Sequence, residues 1–147
     1  MMVKYTDIQS MVEDGIIDDI ETKPNCVLFM KQEFVEYVVG ESATYAYPVL
    51  EVYANPRGGM QGGFISAAFD NTFGALVHMI TKHLQIVTLN LNVSYHKPIY
   101  VNDKLIVTAF LKSNGKTIMH LIGEAYDTHQ NLIATATSSF FLLAPKA

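Results

Sequence analysis

Residues 55–80 read NPRGGMQGGFISAAFDNTFGALVHMI, a glycine-rich loop followed by a long apolar segment. After Gly63, Asp70 is the only formally charged side chain of this segment, with His78 taken as neutral. Apolar residues surround Asp70 on every helical phase, and a helix that is apolar on all sides is normally buried. The stretch therefore predicts a buried central helix that ends near residues 81–82 and carries one acid at its middle.

A buried position for Asp70 requires a physical explanation. A buried carboxylate costs several kcal/mol unless it is hydrogen-bonded, paired with a cation or used in chemistry. No Lys or Arg lies within one helical turn of Asp70. At the helix start, Gly62 and Gly63 present backbone N–H groups without intrahelical acceptors, which favour an anion or a polarised carbonyl oxygen. The two glycines also fit a role limited to a tight turn or close packing.

The spacing of Gly62 and Asp70 limits how they can act together. They are eight residues apart, which on one helix is roughly 12 Å. A reacting carbon has to lie about 3–3.5 Å from the group that attacks it. If both residues act on the same substrate, they must therefore come from different subunits, which predicts a dimer with two shared sites.

Strand patterns lie on both sides of the central helix. Runs rich in β-branched and aromatic residues predict two strands before the helix and four after it. Pro48 suggests an edge position or a bulge in the second strand, and Asn114-Gly115 is a strong hairpin signal. The predicted strands cover residues 33–39, 43–53, 84–95, 104–112, 117–127 and 132–143. In the strand after the helix, the apolar residues that alternate with polar ones are Val87, Leu89, Leu91, Val93 and Tyr95.

The order of these elements predicts the fold class. Thr6 and Gln9 have the capping-box spacing and predict a short helix over residues 7–13, followed by an acidic connector at residues 18–21. A long helix with strands before and after it predicts an α+β fold, an antiparallel sheet wrapped around the buried helix. The 147 residues have the usual length of one domain, so we expect a single domain over residues 1–147.

Composition excludes several function classes. The formal net charge of −4 gives no basic footprint for nucleic acid. Half of the residues are hydrophobic, which favours a subunit interface in addition to a packed core. No signal peptide or membrane span is apparent, so we expect a soluble cytoplasmic protein. Cys26 is the only cysteine and is interpreted as a small buried hydrophobic residue.

Other chemistry-bearing residues fit catalytic patterns poorly. The five histidines lack the spacing of metal ligands, so neither a metal nor a cofactor is expected. Ser66 lies one helical turn before Asp70, but no Gly-x-Ser-x-Gly motif surrounds it. Arg57, the only arginine, lies in the glycine loop, where a ligand phosphate or a surface ion pair would suit it.

Three blocks of the sequence resemble the hotdog-fold acyl-CoA thioesterases of the PaaI-like, or thioesterase superfamily member 2-like, group. The resemblance covers most of the chain from about Tyr37 to Leu143, and the spacings agree across all three blocks. The blocks are Asn55…Gln61-Gly62-Gly63…Asp70-Asn71, Val87-Thr88-Leu89-Asn90-Leu91-Asn92-Val93-Ser94-Tyr95-x-x-Pro98 and Asn114-Gly115-Lys116-Thr117. The resemblance implies the hotdog form of the α+β fold, with the sheet wrapped around a long central helix.

The resemblance also implies a role for each matching residue. In these enzymes an Asn, a His-Gly-Gly and an Asp or Glu carry the site, and Asn55, Gly62 and Asp70 match this pattern. The Gly62 N–H of one subunit would polarise the thioester carbonyl, and Asp70 of the other would act as general base on water or as nucleophile. Asn55 would position water or substrate, and Thr88 would orient Asp70 or the water.

The implied partner is an acyl-CoA substrate, and the implied assembly is at least a homodimer, with a homotetramer expected. Arg57, Gly63 and Lys116 are the residues expected to contact CoA. Neither nucleic acid nor a membrane is expected as a partner. The acyl group is not specified, because an apolar helix with aromatic neighbours suits a fatty or an aryl tail equally.

One position departs from the family pattern, since Gln61 stands where the family has His. A Gln side chain donates and accepts hydrogen bonds but cannot take up a proton near neutral pH. Activity survives this change if the residue only orients the carbonyl or the loop. The sequence therefore predicts an acyl-CoA or acyl-carrier thioesterase, with a non-catalytic acyl-CoA-binding module as the alternative. A hotdog hydratase or dehydratase is a weaker alternative, because it requires a His paired with the helix acid.

Overall fold

The computed structural model describes residues 2–18, 23–82 and 85–143. Most of the predicted acidic connector and the predicted strand start at Leu84 lie outside these residues. The helices are α1 (Ile8–Glu13), α2 (Asn25–Phe29) and α3 (Gly62–Thr81), and a 3₁₀ turn covers Glu51–Tyr53. The strands are β1 (Lys4–Tyr5), β2 (Glu33–Val38), β3 (Ser42–Pro48), β4 (Ile86–Tyr95), β5 (Lys104–Asn114), β6 (Ile118–Tyr126) and β7 (Leu132–Leu142).

All strands of the described chain join one antiparallel sheet in the order β1-β2-β3-β5-β6-β7-β4. Helix α3 packs across the sheet and contacts β3, β4, β5, β6 and β7. Its largest buried side chains form the core together with the inward faces of these strands. The predicted α+β fold, with a sheet wrapped around one long helix, is confirmed. None of the helices in the described ranges is long and apolar enough to cross a bilayer.

Three predictions about the segment before α3 are wrong. Cys26 is exposed, because it lies on the unpredicted helix α2, none of whose residues is buried. Strand β3 ends at Pro48, and the chain then forms a 3₁₀ turn instead of extending to Tyr53. Proline has no N–H with which to continue a ladder. Because β3 lies between β2 and β5, Pro48 marks the end of an interior strand and not a sheet edge.

The short helix α1 forms where it was predicted, but a different residue caps it. The Asp7 side chain accepts a hydrogen bond from the Ser10 N–H at 2.8 Å and another from the Ser10 hydroxyl at 2.9 Å. Asp is as good an N-cap as Thr, because its carboxylate satisfies an N–H that has no intrahelical acceptor. The capping-box pair Thr6 and Gln9 is therefore not the cap.

Gly123, in the middle of β6, allows α3 to approach the sheet closely. A Cβ at this position would lie 2.8 Å from Phe73 Cζ and 2.9 Å from Phe69 Cδ1. The rings of Phe69 and Phe73 are stacked, with their centroids 5.9 Å apart, and both residues are fully buried. The absent side chain of one strand residue thus makes room for two aromatic rings of the helix.

Three consecutive polar residues attach the middle of α3 to three different neighbours. The Asp70 carboxylate accepts a hydrogen bond from Thr88 of β4, and Asn71 Nδ2 donates to the Cys26 carbonyl of α2 at 3.3 Å. Thr72 forms a 2.8 Å hydrogen bond with the hydroxyl of Tyr47 on β3. Successive helical residues point about 100° apart, so these contacts together determine the rotation of the helix about its axis.

The Thr72 contact belongs to a chain of hydrogen bonds whose directions are determined. Thr72 Oγ1 donates to the Ala68 carbonyl, so the Tyr47 hydroxyl must donate to Thr72 and accept from Gln32 Nε2. Burial raises the pKa of Tyr47 to about 12 and that of Tyr45 well above its usual value. Both phenols therefore stay neutral at any physiological pH and can act as hydrogen-bond donors.

We predict that Gly123→Ala destabilises the protein by about 1–3 kcal/mol, because the added methyl group overpacks the site under Phe69 and Phe73. The matched control is Gly74→Ala on α3, whose Cβ would lie at an ordinary contact distance of 3.9 Å from Phe140 Cε2. Replacing a helical Gly by Ala favours the helix by up to about 1 kcal/mol. Denaturant unfolding of the two variants should give shifts of opposite sign, and equal shifts would contradict this account of the helix–sheet contact.

Candidate active site

Strand β4 is an edge strand, paired with β7 on one side. Its register with β7 shifts between Thr88 and Asn90, so Leu89 is an extra, bulged residue. A bulge inverts the inward and outward alternation of the residues that follow it. The side chains of Leu91 and Val93 pack against the core, whereas Leu89 is 51% exposed.

Because of the bulge, Thr88 before it and Leu91 after it both point towards α3. Thr88 Oγ1 donates a 2.8 Å hydrogen bond to Asp70 Oδ1, while Val87 on the other face is 44% exposed. The sequence prediction that Val87, Leu89, Leu91, Val93 and Tyr95 alternate without interruption is therefore wrong. Val87 and Leu89 lie on one face and Leu91 and Val93 on the other, because the alternation of a strand holds only between bulges.

Asp70 is half-buried in the single chain. The sequence predicted that it would be fully buried, so this prediction is wrong. It lies at the side of α3 that faces β4, beyond which the described chain has no further strand. In the described residues no Lys or Arg forms an ion pair with it. Among the described residues Thr88 is the one side-chain donor to this carboxylate, which leaves its second oxygen to act on a ligand.

The glycine loop is held together by the side chain of Asn55. Asn55 Oδ1 accepts hydrogen bonds from the backbone N–H of Arg57 at 3.0 Å and of Gly59 at 3.1 Å. Gly58 adopts a positive φ of 81°, which glycine adopts without strain. Because the Asn55 side-chain carbonyl already accepts these two hydrogen bonds, the group that Asn55 can offer a ligand is its Nδ2 amide.

Gln61 is the N-cap of α3. Its backbone N–H donates to the Tyr53 carbonyl, and its own carbonyl accepts from the N–H groups of Phe64 and Ile65. Its side chain is exposed and makes no capping hydrogen bond. Within the described chain no group accepts from the N–H of Gly62 or Gly63, so both donors are available at the positive end of the helix dipole.

A groove of about 380 Å³ runs past this helix start. It contains the exposed Asn55 and the first residue of α3, Gly62, and two basic side chains, His96 and Lys97, border it. The remaining lining residues are Gly59, Met60, Ile65, Tyr95 and Pro98. Neither Asp70 nor Thr88 lines it, so one chain separates the predicted site residues into two groups.

The three residues expected to contact CoA lie in different places. Gly63 is exposed at the start of α3, and Arg57 is exposed in the glycine loop, without an ion pair among the described residues. Lys116 lies in the β5–β6 hairpin, where the neighbouring Thr117 carbonyl accepts from the Leu142 N–H. Leu142 pairs with Ile86 at the opposite end of β4 from Gly62, so Lys116 is remote from the groove of its own chain.

Tyr95, His96 and Lys97 are groove residues that the sequence analysis did not assign to the site. Tyr95 is the last residue of β4, and His96 and Lys97 follow it directly. The resemblance included Tyr95 only as part of a strand block. The signal was the position of the three residues at the end of the predicted strand and in the loop after it, where residues commonly carry function. This position indicated a site only once the structure showed that the end of β4 lies beside the start of α3, where the Tyr95 hydroxyl donates to the Gly62 carbonyl.

Asp103, Asp127 and His129 have potential metal-ligand atoms within 4.8 Å of one another. Both carboxylates already serve the loops around them. Asp103 Oδ1 accepts from the backbone N–H and hydroxyl of Thr128. Hydrogen bonds from the side chain and backbone of Asn131 lower the pKa of Asp127. These contacts account for the cluster without an ion.

Comparison with known proteins identifies the family. The profile of the thioesterase superfamily matches residues 58–134, which include the glycine-loop end, α3 and strands β4 to β6. Among curated protein sequences none matches this chain. Solved structures do match this chain.

Three solved structures illustrate the similarity. The PaaI protein of the Escherichia coli phenylacetic acid degradation operon is 17% identical, with a TM-score of 0.77 over 84% of this chain and 88% of that one. A phenylacetic acid degradation-related protein of Ralstonia eutropha is 25% identical, with a TM-score of 0.77 over 88% and 98%. A Streptococcus mutans protein bound to acetyl CoA is 19% identical, with a TM-score of 0.72 over 89% and 98%.

These matches confirm the resemblance noted in the sequence. The superfamily profile covers more than half of the chain, and the matched structures share its sheet and central helix over most of their length. The chain belongs to the thioesterase superfamily and has the hotdog fold of the PaaI-like thioesterases.

Proposed function

We propose that this protein hydrolyses acyl-CoA thioesters to a carboxylic acid and free CoA, at two sites shared between the subunits of a homodimer. The observation that carries the proposal is the Thr88–Asp70 hydrogen bond, which presents a carboxylate at the open edge of the sheet. The thioester carbonyl would lie at the other end of β4, beside the free N–H groups of Gly62 and Gly63. These two groups meet only if a second chain completes the sheet.

The edge strand supports one particular pairing of two chains. Thr88, which binds Asp70, and Tyr95, which binds Gly62, are seven residues apart on β4, or about 23 Å. Antiparallel pairing about a two-fold axis between Leu91 and Asn92 would place Tyr95 opposite Thr88 of the partner subunit. Each glycine-loop end would then face the partner subunit's Asp70.

Edge-strand physics favours such pairing. An unpaired edge exposes a row of N–H and C=O groups, which natural proteins normally cover or protect. Strand β4 has ten residues and carries the exposed apolar side chains of Val87 and Leu89. It contains no Lys, Arg or Pro. A two-fold symmetric contact of one strand with its own copy is an isologous interface, the commonest kind in homodimers.

The proposed chemistry assigns one task to each end of β4. Asp70, oriented by Thr88, accepts a proton from water as the water oxygen bonds to the carbonyl carbon, or attacks that carbon itself. The oxyanion that forms accepts hydrogen bonds from the helix-start N–H groups. The C–S bond then breaks, and in the first route the proton on Asp70 passes to the CoA thiolate. In the second route the break leaves a mixed anhydride of Asp70 and the acyl group, which water hydrolyses to the free acid and the Asp70 carboxylate, and the proton that the water releases passes to the thiolate. Asn55 Nδ2 and the Gln61 side chain orient the carbonyl or the water.

The same pairing accounts for the residues proposed to hold CoA. In the proposed pairing, residue 86 of the partner subunit would lie near residue 97 of this chain, so the partner subunit's Lys116 would approach the groove. Arg57 and Lys97 border the glycine-loop end in the same chain. Cations suit the phosphates of CoA, and a Streptococcus mutans relative was solved with acetyl CoA bound.

We extend the proposal to the whole chain, as one hotdog domain over residues 1–147 in a cytoplasmic homotetramer built from two such dimers. A second function is favoured by one observation. The Gln61 side chain is exposed at the site and cannot exchange a proton, which suits an acyl-CoA-binding module without turnover. Thiol release distinguishes the two functions directly.

We predict that Asp70→Asn lowers the rate of thiol release by about 10²–10⁴-fold, the range expected for loss of a general base. The rate is measured on short-, medium-, long-chain and aryl acyl-CoAs, with folding checked by circular dichroism. Glu41→Gln, the same charge change at an exposed turn residue, is the control and should leave the rate unchanged. Near-normal turnover by Asp70→Asn excludes the assigned role of Asp70. Tight acyl-CoA binding by the wild type without any thiol release supports the binding module.

We also predict complementation between two inactive variants if the site is shared. Gly63→Leu blocks the glycine-loop end, and no chain atom lies closer than 4.0 Å to a Cβ at this position. Co-refolded in equal amounts with Asp70→Asn, it should restore about one quarter of wild-type activity, because half of the dimers are mixed and each has one intact site. If each chain holds a complete site, the mixture stays inactive.

A further inference from the structure

Tyr95 is an exposed strand-end residue whose side chain contacts the start of α3. It is the last residue of β4, and 51% of its surface is exposed. Its ring nevertheless lies directly on Gly62, where a Cβ would come within 2.9 Å of Tyr95 Cζ and 3.2 Å of its hydroxyl oxygen. Gly62 has no positive φ, so close approach of this ring, and not backbone conformation, is what requires glycine there.

The hydrogen bonds of the Tyr95 hydroxyl have determined directions. The hydroxyl donates to the Gly62 carbonyl oxygen at 2.9 Å. It lies 2.6 Å from Ser66 Oγ, and since its single proton is already used, Ser66 must be the donor. The result is a chain of hydrogen bonds from the Ser66 hydroxyl through the Tyr95 hydroxyl to the carbonyl of Gly62, the first residue of α3.

The Gly62 carbonyl is part of the peptide group that carries the Gly63 N–H. Hydrogen bonding to a carbonyl oxygen polarises its peptide group and strengthens the N–H as a donor, because bonds in a chain reinforce one another. The same contact holds the peptide plane at a helix start, where glycine pairs otherwise have wide conformational freedom. Both effects act on the Gly63 N–H, which has no acceptor within the described chain.

We propose that Tyr95 is a positioning residue for thioester hydrolysis, holding and polarising the Gly62–Gly63 peptide so that its N–H binds the oxyanion. The proposal rests on the function proposed above. Tyr95 acts through the helix start without touching the reacting atoms, and Ser66 sets the direction of its hydroxyl. The strand end and the helix start thereby form one rigid unit.

The test is Tyr95→Phe, which keeps the ring on Gly62 and removes only the hydroxyl. We expect kcat to fall about tenfold with KM within twofold of the wild type, since an interaction realised in the transition state lowers kcat alone. Ser66→Ala should lower kcat less, and the double variant should be no worse than Tyr95→Phe, because both belong to one chain of hydrogen bonds. Tyr100→Phe, an exposed tyrosine in the following loop, is the control.

A second measurement is independent of activity. The protein has nine glycines, so a sample labelled with ¹⁵N at glycine gives a sparse NMR spectrum. Tyr95→Phe should shift the Gly63 amide resonance towards weaker hydrogen bonding and leave Gly115 and Gly123 unchanged.

The outcomes separate this proposal from the one on which it rests. A wild type without thiol release on any acyl-CoA defeats the thioesterase proposal, while the Gly63 shift still reports on the peptide contact. An active wild type with an unchanged kcat in Tyr95→Phe overturns the role of Tyr95. A fall in kcat accompanied by lower thermal stability and an unshifted Gly63 amide also overturns it, because Tyr95 would then act only on folding.

Discussion

The hydrogen bond from Thr88 to Asp70 is the contact on which the candidate site depends. It holds the one acid of α3 at the open edge of the sheet, and the bulge at Leu89 lets Thr88 share the helix-facing side of β4 with Leu91 and Val93. The helix cannot rotate away from this contact. Its next two residues are attached to α2 and β3, and two phenylalanine rings fill the space above Gly123.

Strand β4 has chemically different groups at its two ends. At one end the helix start and Asn55 Nδ2 offer N–H donors, which suit a carbonyl oxygen or an anion. At the other end Asp70 offers a carboxylate, which suits a water molecule or an electrophilic carbon. A helix cannot bring residues eight positions apart to one atom, so under the proposed function each chain would supply two half-sites. A second subunit would then have to complete each site.

Asn55 and Gln61 each use some of their hydrogen-bonding groups to hold the loop and helix together and leave others available to a ligand. Asn55 uses its side-chain carbonyl to close the loop, and Gln61 uses its backbone to begin the helix. Their amide side chains remain exposed, and neither can transfer a proton at neutral pH. Under the proposed function, proton transfer therefore falls to Asp70 at the other end of the strand. This division is consistent with membership of the thioesterase superfamily, although Gln61 stands where the sequence resemblance implies a His.

The sequence by itself determined the fold class, the extent of α3, most strand positions and the pairing of a glycine turn with a lone acid, because helical and strand periodicity are local properties of the chain. It did not reveal α2, whose five residues lack a periodic pattern, the bulge at Leu89, or the true exposure of Cys26 and Asp70. These depend on contacts between segments distant in sequence. The tertiary structure alone decided that Thr88 points at Asp70, that Tyr95 rests on Gly62 and that the two groups lie at opposite ends of an open edge, because strand register and helix rotation are set by packing.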